Sequence, residues 1–167
     1  MNQQIRHILT IVANETLERL AFIFAFADNE RVIDGPAPAM TGRVDFKGSF
    51  SGVLIMRISQ GTLAELAANM LGLDDDCEIS EAEQQDAFKE MLNVICGNFL
   101  PALAGDQMEF HIGPPAVLDE AEARLELNKK DPLCVARLML EEGFCDLYFY
   151  PDARFTEEMK LEASAEI

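Results

Sequence analysis

The chain has 167 residues, 49% of them apolar, which suits one domain with a sizeable core. It carries 30 acidic against 13 basic residues, a formal net charge of −17. Such a surface repels phosphate backbones and acidic lipid headgroups, which argues against nucleic-acid and membrane-surface roles and suits a partner with a basic patch.

Cys77, Cys96, Cys134 and Cys145 are far apart and form no C-x-x-C pair, so reduced, buried and inert thiols are expected. His7 and His111 are the only histidines, and no Cys/His cluster has metal-binding spacing. No run reaches the roughly 18–20 apolar residues that a membrane span needs. The apolar stretch Leu20–Ala27 is preceded by Asn14, Glu15, Glu18 and Arg19, which does not suit a signal peptide. A cytosolic protein is the expectation.

In chain order, Ile5, Ile8, Leu9, Val12, Thr16, Leu20 and Ile23 recur at helical spacing, predicting a helix from Asn2 to about Phe26. Its end is apolar nearly all round and must be covered, as a subunit contact would do. Gly35 to Ala39, with its Pro-Ala-Pro, reads as a loop. Gly42–Ser59 reads as a β-hairpin. Val44, Phe46 and Phe50 alternate with polar residues, and Gly48 and Gly52 bracket a turn or bulge. Gln60–Leu73 is a short helix with Leu63, Leu66, Ala67 and Met70 inward. Asp74-Asp75-Asp76 lacks the Gly and Glu of a calcium loop and reads as a solvated turn.

Ser80-x-x-Glu83 has the form of a capping box opening a long helix. Along that helix Phe88, Leu92, Ile95, Cys96, Phe99 and Leu103 form one apolar stripe. Asp86, Glu90, Asn93 and Gly97, at i, i+4, i+7 and i+11, form a second stripe on roughly the opposite side. Glu90 and Asn93 are surface neighbours three residues apart. Such a pair is often plain polar surface. Here, however, Asn93 and Gly97 are both poor helix formers, and Gly97 costs about 1 kcal/mol relative to Ala. An acid, an amide beside it and a Gly one turn on make a face shaped for another body. Pro101 either kinks this helix or marks its final turns.

Met108–Ile112 is a strand candidate. Glu120–Leu127 suits a helix, an edge strand or a loop. Leu133–Leu140 and Phe144–Tyr150 form a second hairpin turning at Glu141-Glu142-Gly143. The domain is read as residues 1–153. A charged, frayed tail over 154–167 follows, with Phe155, Met159 and Leu161 as its apolar anchors. An internal repeat is discernible: each half runs helix, strand, turn, strand.

Glu90-Met91-Leu92-Asn93-Val94-Ile95-Cys96-Gly97-Asn98 resembles the E-x-x-N helix of the CheX/CheC/FliY chemotaxis phosphatase family. Gly48–Ile55 resembles that family's glycine-punctuated hairpin, Leu63–Leu73 the helix after it, and Gly113-Pro114-Pro115 its G-P-P turn. The resemblance spans about Val44 to Val117. Only the second half of the repeat has an E-x-x-N, which is similar to the CheX branch rather than CheC. It implies an α+β fold, a mostly antiparallel sheet of about five or six strands with helices packed on it (CheC-like).

The resemblance also implies a chemotaxis-type phosphatase that hydrolyses the aspartyl phosphate of a CheY-like response regulator. Asn93 would position the attacking water, and Glu90 would pair with the partner's active-site lysine. Asp86, Val94 and Gly97 would lie against the partner. The chain would need no cofactor of its own, Mg2+ being held by the partner regulator, and a homodimer is implied. The alternative is a non-catalytic binding or scaffold module for a receiver domain or motility component.

Overall fold

The first helix, α1 (Asn2–Ala21), stops earlier than its apolar periodicity predicts. Phe22 takes a left-handed conformation (φ 53°), and its N–H and that of Ile23 donate back to the carbonyls of Glu18 and Leu17. The chain then becomes extended as β1 (Ala25–Ala27). The strand at Cys134–Leu140 offers an edge on which Ala25–Ala27 pairs, and the spacing of Phe22, Phe24 and Phe26, with the strand period of two, is compatible with it. In this computed structural model residues 1–31, 37–74 and 76–155 are described. Gly35 and Pro36 of the expected loop, Asp75 of the triple Asp, and Met159 and Leu161 of the tail lie outside them.

The two expected hairpins both form. The first pairs β2 (Ala39–Gly48) with β3 (Gly52–Ser59), in the register Val44 opposite Leu54. Gly48 and Gly52 bracket its turn. A 3-10 turn then leads into α2 (Leu63–Leu71), and α3 (Glu81–Ala104) follows. Two three-residue strands, β4 (Phe110–Ile112) and β5 (Ala116–Leu118), both pair with β2. The segment left open by sequence is a helix, α4 (Glu120–Lys129). Asp119 and Glu122 cap it reciprocally, at 2.8 and 2.9 Å. The second hairpin is β6 (Cys134–Leu140) with β7 (Gly143–Pro151).

The hairpins join through β3 and β7, with Ile55 opposite Tyr148. The described strands make one seven-stranded antiparallel sheet in the order β1-β6-β7-β3-β2-β4, with β5 also on β2. β4 forms within the strand candidate Met108–Ile112, and the count exceeds the expected five or six because β1 and β5 are too short to show a pattern in sequence.

Helices α1, α2 and α3 pack together on one face of the sheet. Leu54, Met56 and Ile58 of β3 and Leu147 and Phe149 of β7 meet Leu9 and Leu17 of α1, Leu66 of α2, and Phe88, Leu92 and Phe99 of α3, all buried. Phe149 lies edge-to-face on Phe99 and Phe155, with ring centroids 5.0 and 5.8 Å apart. Phe155 is thus a core residue.

The opposite face carries a smaller cluster of Ile55, Tyr148 and Tyr150, covered by Leu127 of α4. On that face Asp146 of β7 stands in register between Arg57 and Arg137. It is fully buried and ion-paired with Arg31, which ties the chain after β1 to the sheet. Cys96, Cys134 and Cys145 are buried free thiols. Burial pushes Cys96 up to about 12 and Cys134 up to about 11, so both stay protonated and inert. Cys77 departs from the expectation of burial: its loop leaves it exposed.

Candidate functional site

The site helix starts at its expected cap. Ser80 Oγ accepts from the Glu83 N–H at 3.2 Å, and Glu83 Oε2 accepts from the Ser80 N–H at 2.8 Å. The helix runs on through Pro101 to Ala104, so Pro101 belongs to its last turns, and the N–H of Gly105 donates to the Pro101 carbonyl at 2.8 Å. Phe88, Met91, Leu92, Ile95, Cys96, Phe99 and Leu100 are buried, and Leu103 is partly so. Burying side chains of this size stabilises by about 1.5–3 kcal/mol each, which fixes the rotation of the helix about its axis.

One backbone contact sets how closely α3 lies on the sheet. A Cβ at Gly42 of β2 would overlap the ring of Phe88 and stand 3.0 Å from the Ala116 carbonyl oxygen. Only glycine lets the Phe88 ring rest on the strand at this point.

With that rotation fixed, Asp86 and Glu90 are exposed, and Asn93, Val94 and Gly97 are half-buried. The stripe runs from open solvent at Asp86 to a shoulder at Gly97, where Ile112 of β4 is the neighbour. Past Ile112, the Gly113-Pro114-Pro115 turn leads into β5, and the Gly113 N–H donates to the Asp45 carbonyl at 2.8 Å. Glu90 and Asn93 therefore share one accessible side of a rigid, capped helix.

Among the described residues Glu90 takes part in no ion pair. Lys89 goes instead to Asp86, with Nζ 3.5 Å from Oδ1. Both of those side chains are substantially exposed, so that pair contributes little to stability. The arrangement offers an uncompensated carboxylate, which only accepts hydrogen bonds, beside an amide, which both accepts and donates. No group of three or more His, Cys, Asp or Glu side chains among the described residues is placed to hold a metal ion.

The sequence marked Phe22–Phe26 as the apolar end of a helix rather than as an extended run, and it did not mark Tyr150. Phe22, Phe24 and Phe26 are 70, 63 and 65% exposed. Their alternation was the available signal. Tyr150 closes a cavity beneath α4, and nothing in its local sequence marks it.

The described residues thus form an antiparallel sheet backed by three helices, one of which displays an acid and an amide outward. The family model described as Chemotaxis phosphatase CheX matches residues 40–138, and the chain belongs to that family. No curated protein sequence matches it.

Solved structures share the fold. The chain is similar to a chemotaxis protein CheX from Desulfovibrio desulfuricans, at 19% identity over 89% of this chain and 99% of that one, with a TM-score of 0.70. It is similar to CheX from Vibrio vulnificus at 16% identity, over 91% of this chain and 99% of that one, with a TM-score of 0.70. It is also similar to a chain in the CheX–CheY–BeF3–Mg2+ complex from Borrelia burgdorferi. That match has 19% identity over 87% and 96% of the two chains and a TM-score of 0.62.

Proposed function

We propose that this chain is a protein aspartyl-phosphate phosphatase acting on a CheY-like receiver domain. The observation that carries the reading is the display of Glu90 and Asn93 together on the outward side of α3, in a chain of the CheX family. The relative from Borrelia burgdorferi, crystallised with CheY, supports the choice of partner.

Phosphoryl transfer asks little covalent chemistry of a protein. It asks for a water held in line and for developing charge to be balanced. The Asn93 amide accepts a hydrogen bond from the water with its oxygen and donates another with its nitrogen, which orients the water toward phosphorus. The water oxygen bonds to phosphorus while the bond to the aspartyl oxygen breaks. The electron pair leaves on the carboxylate, and both of the water's protons end on inorganic phosphate.

Glu90 pairs with the partner's active-site lysine and sets the depth of insertion. Asp86, Val94 and Gly97 form the surrounding contact. The Mg2+ that balances the phosphate charge belongs to the regulator, so this chain brings no metal of its own. The helix acts as a finger whose position the packed core supplies.

The same reading includes a homodimer in the cytosol. Strand β1 is the edge of the sheet, and it carries exposed Phe26 beside exposed Phe22 and Phe24. An edge strand with an apolar face is a ready surface for a second copy. The reading is tested by following label on a phosphorylated CheY-like receiver domain with and without this protein. Faster loss in its presence supports the phosphatase. Binding with an unchanged lifetime replaces it with a scaffold.

A further inference from the structure

Beneath α4, on the side of the sheet away from the site helix, there is a cavity of about 220 Å3. Its walls are Val53 and Ile55 of β3 and Tyr150 of β7. Tyr150 is only 4% exposed, and its hydroxyl meets no hydrogen-bond partner in the protein. A buried hydroxyl left without a partner is costly, and native proteins rarely leave one so without a water or ligand to meet it. Burial, with Tyr148, Asp131 and Glu126 nearby, pushes this phenol up to about 12, so it is a donor throughout the physiological range.

Three cations, Arg43, Lys129 and Lys130, line the cavity in a strongly acidic chain, with Glu126 as the lining acid. Arg43 is already engaged, 2.5 Å from Asp45 Oδ1 and 2.7 Å from Glu126 Oε2. Lys129 lies 3.9 Å from the other Glu126 oxygen, at the limit of an ion pair. Lys130 has no acidic partner among the described residues and stands with Nζ 5.8 Å from the centre of the Tyr150 ring. The acid of the pocket is thus committed to Arg43, and Lys130 remains to meet an anion.

The geometry points to a binding site for a small organic carboxylate between α4 and the outer face of the sheet. Its carboxylate would be held by Lys130 and the Tyr150 hydroxyl, and its short apolar body would lie on Val53 and Ile55. The apolar walls favour this over a bare inorganic anion. The cavity falls below the roughly 300–1,000 Å3 of drug-sized sites, which limits the ligand to a few carbons or a single ring. The site is separate from Glu90 and Asn93 and does not depend on the phosphatase reading.

The test is an amide-shift titration of the full chain with four probes: benzoate, hexanoate, hexanol and inorganic phosphate. Benzoate or hexanoate should give saturable shifts at Val53, Ile55, Lys129, Lys130 and Tyr150, while hexanol and phosphate should not. Tyr150→Phe removes only an unpartnered hydroxyl, so it should fold with unchanged or higher thermal stability. It should weaken carboxylate binding about tenfold, as for loss of a hydrogen bond to a charged group. Lys130→Gln should weaken it by a similar factor. Absence of saturable shifts would mean that the cavity holds water only, which overturns the proposal. Equal binding of hexanol, of phosphate, or of the carboxylates by Tyr150→Phe overturns it as well.

Discussion

A methyl group built on Gly97 would stand 3.8 Å from Ile112 Cδ1, an ordinary contact with room to spare. Nothing in the chain's own packing therefore requires glycine at this point of α3. Gly97→Ala should raise stability, by about 1 kcal/mol from helix propensity alone, seen as a higher unfolding midpoint. If Gly97 lies against a receiver domain, the same substitution should weaken receiver binding. A variant that is both more stable and fully able to bind would remove Gly97 from the contact.

Gly42 behaves in the opposite way, because its missing side chain is what admits the Phe88 ring. Gly42→Ala should destabilise by about 1–3 kcal/mol, as expected for overpacking. It should also lower activity, since α3 would be lifted off β2. Urea unfolding and a receiver-dephosphorylation assay on the same sample check both parts. Unchanged stability would mean that Phe88 has space to move.

Much of this architecture can be read from the residues. Ser80-x-x-Glu83, the apolar stripe from Phe88 to Phe99 and the alternation along both hairpins each fix an element through local chemistry, and each element stands where that chemistry places it. Legibility fails where tertiary partners decide. β5 is three residues long and exists because β2 offers it an edge. Phe22 to Phe26 continues the apolar character of α1, and pairing with β6 drew the chain out of the helix. Asp119-x-x-Glu122 has the same cap form as Ser80-x-x-Glu83, a signal for α4 that the open reading of Glu120–Leu127 left unused. The outward stripe of α3 was visible as spacing. Its shoulder at Ile112 needed the sheet to be assembled first.

The exposed Phe24 should matter to assembly and little to the fold. Phe24→Glu should keep the circular dichroism and thermal midpoint close to those of the parent chain. Light scattering should shift from dimer to monomer at micromolar concentration. A parent chain that is already monomeric there would rule out the β1 edge as a dimer contact.

Asp146 gives a pH signature. Burial outweighs the attraction of Arg31 and holds its carboxyl above the ordinary value of 3.8. The folded state then holds this proton more tightly than the unfolded one. The contribution of Asp146 to stability is present below the unfolded value and is lost as pH rises through the raised folded value. The stability of the parent chain minus that of Asp146→Asn should therefore fall as pH rises above about 4, then level off. Urea midpoints of the two proteins across this range measure it. A difference that grows with pH would mean that the surrounding guanidiniums dominate.

The central claim is that Asn93 orients the water that attacks an aspartyl phosphate. The most direct measurement is the lifetime of a phosphorylated CheY-like receiver domain with the parent chain and with Asn93→Ala, binding being measured in parallel. Asn93 is half-buried on the outward side of α3, and Ala is the better helix former, so the fold should be kept. Binding should be nearly unchanged if Glu90 carries the docking charge. The acceleration of phosphate loss should drop by about 10²–10³, the usual effect of removing one oriented polar group from a closed site. Full dephosphorylation by Asn93→Ala would contradict the account.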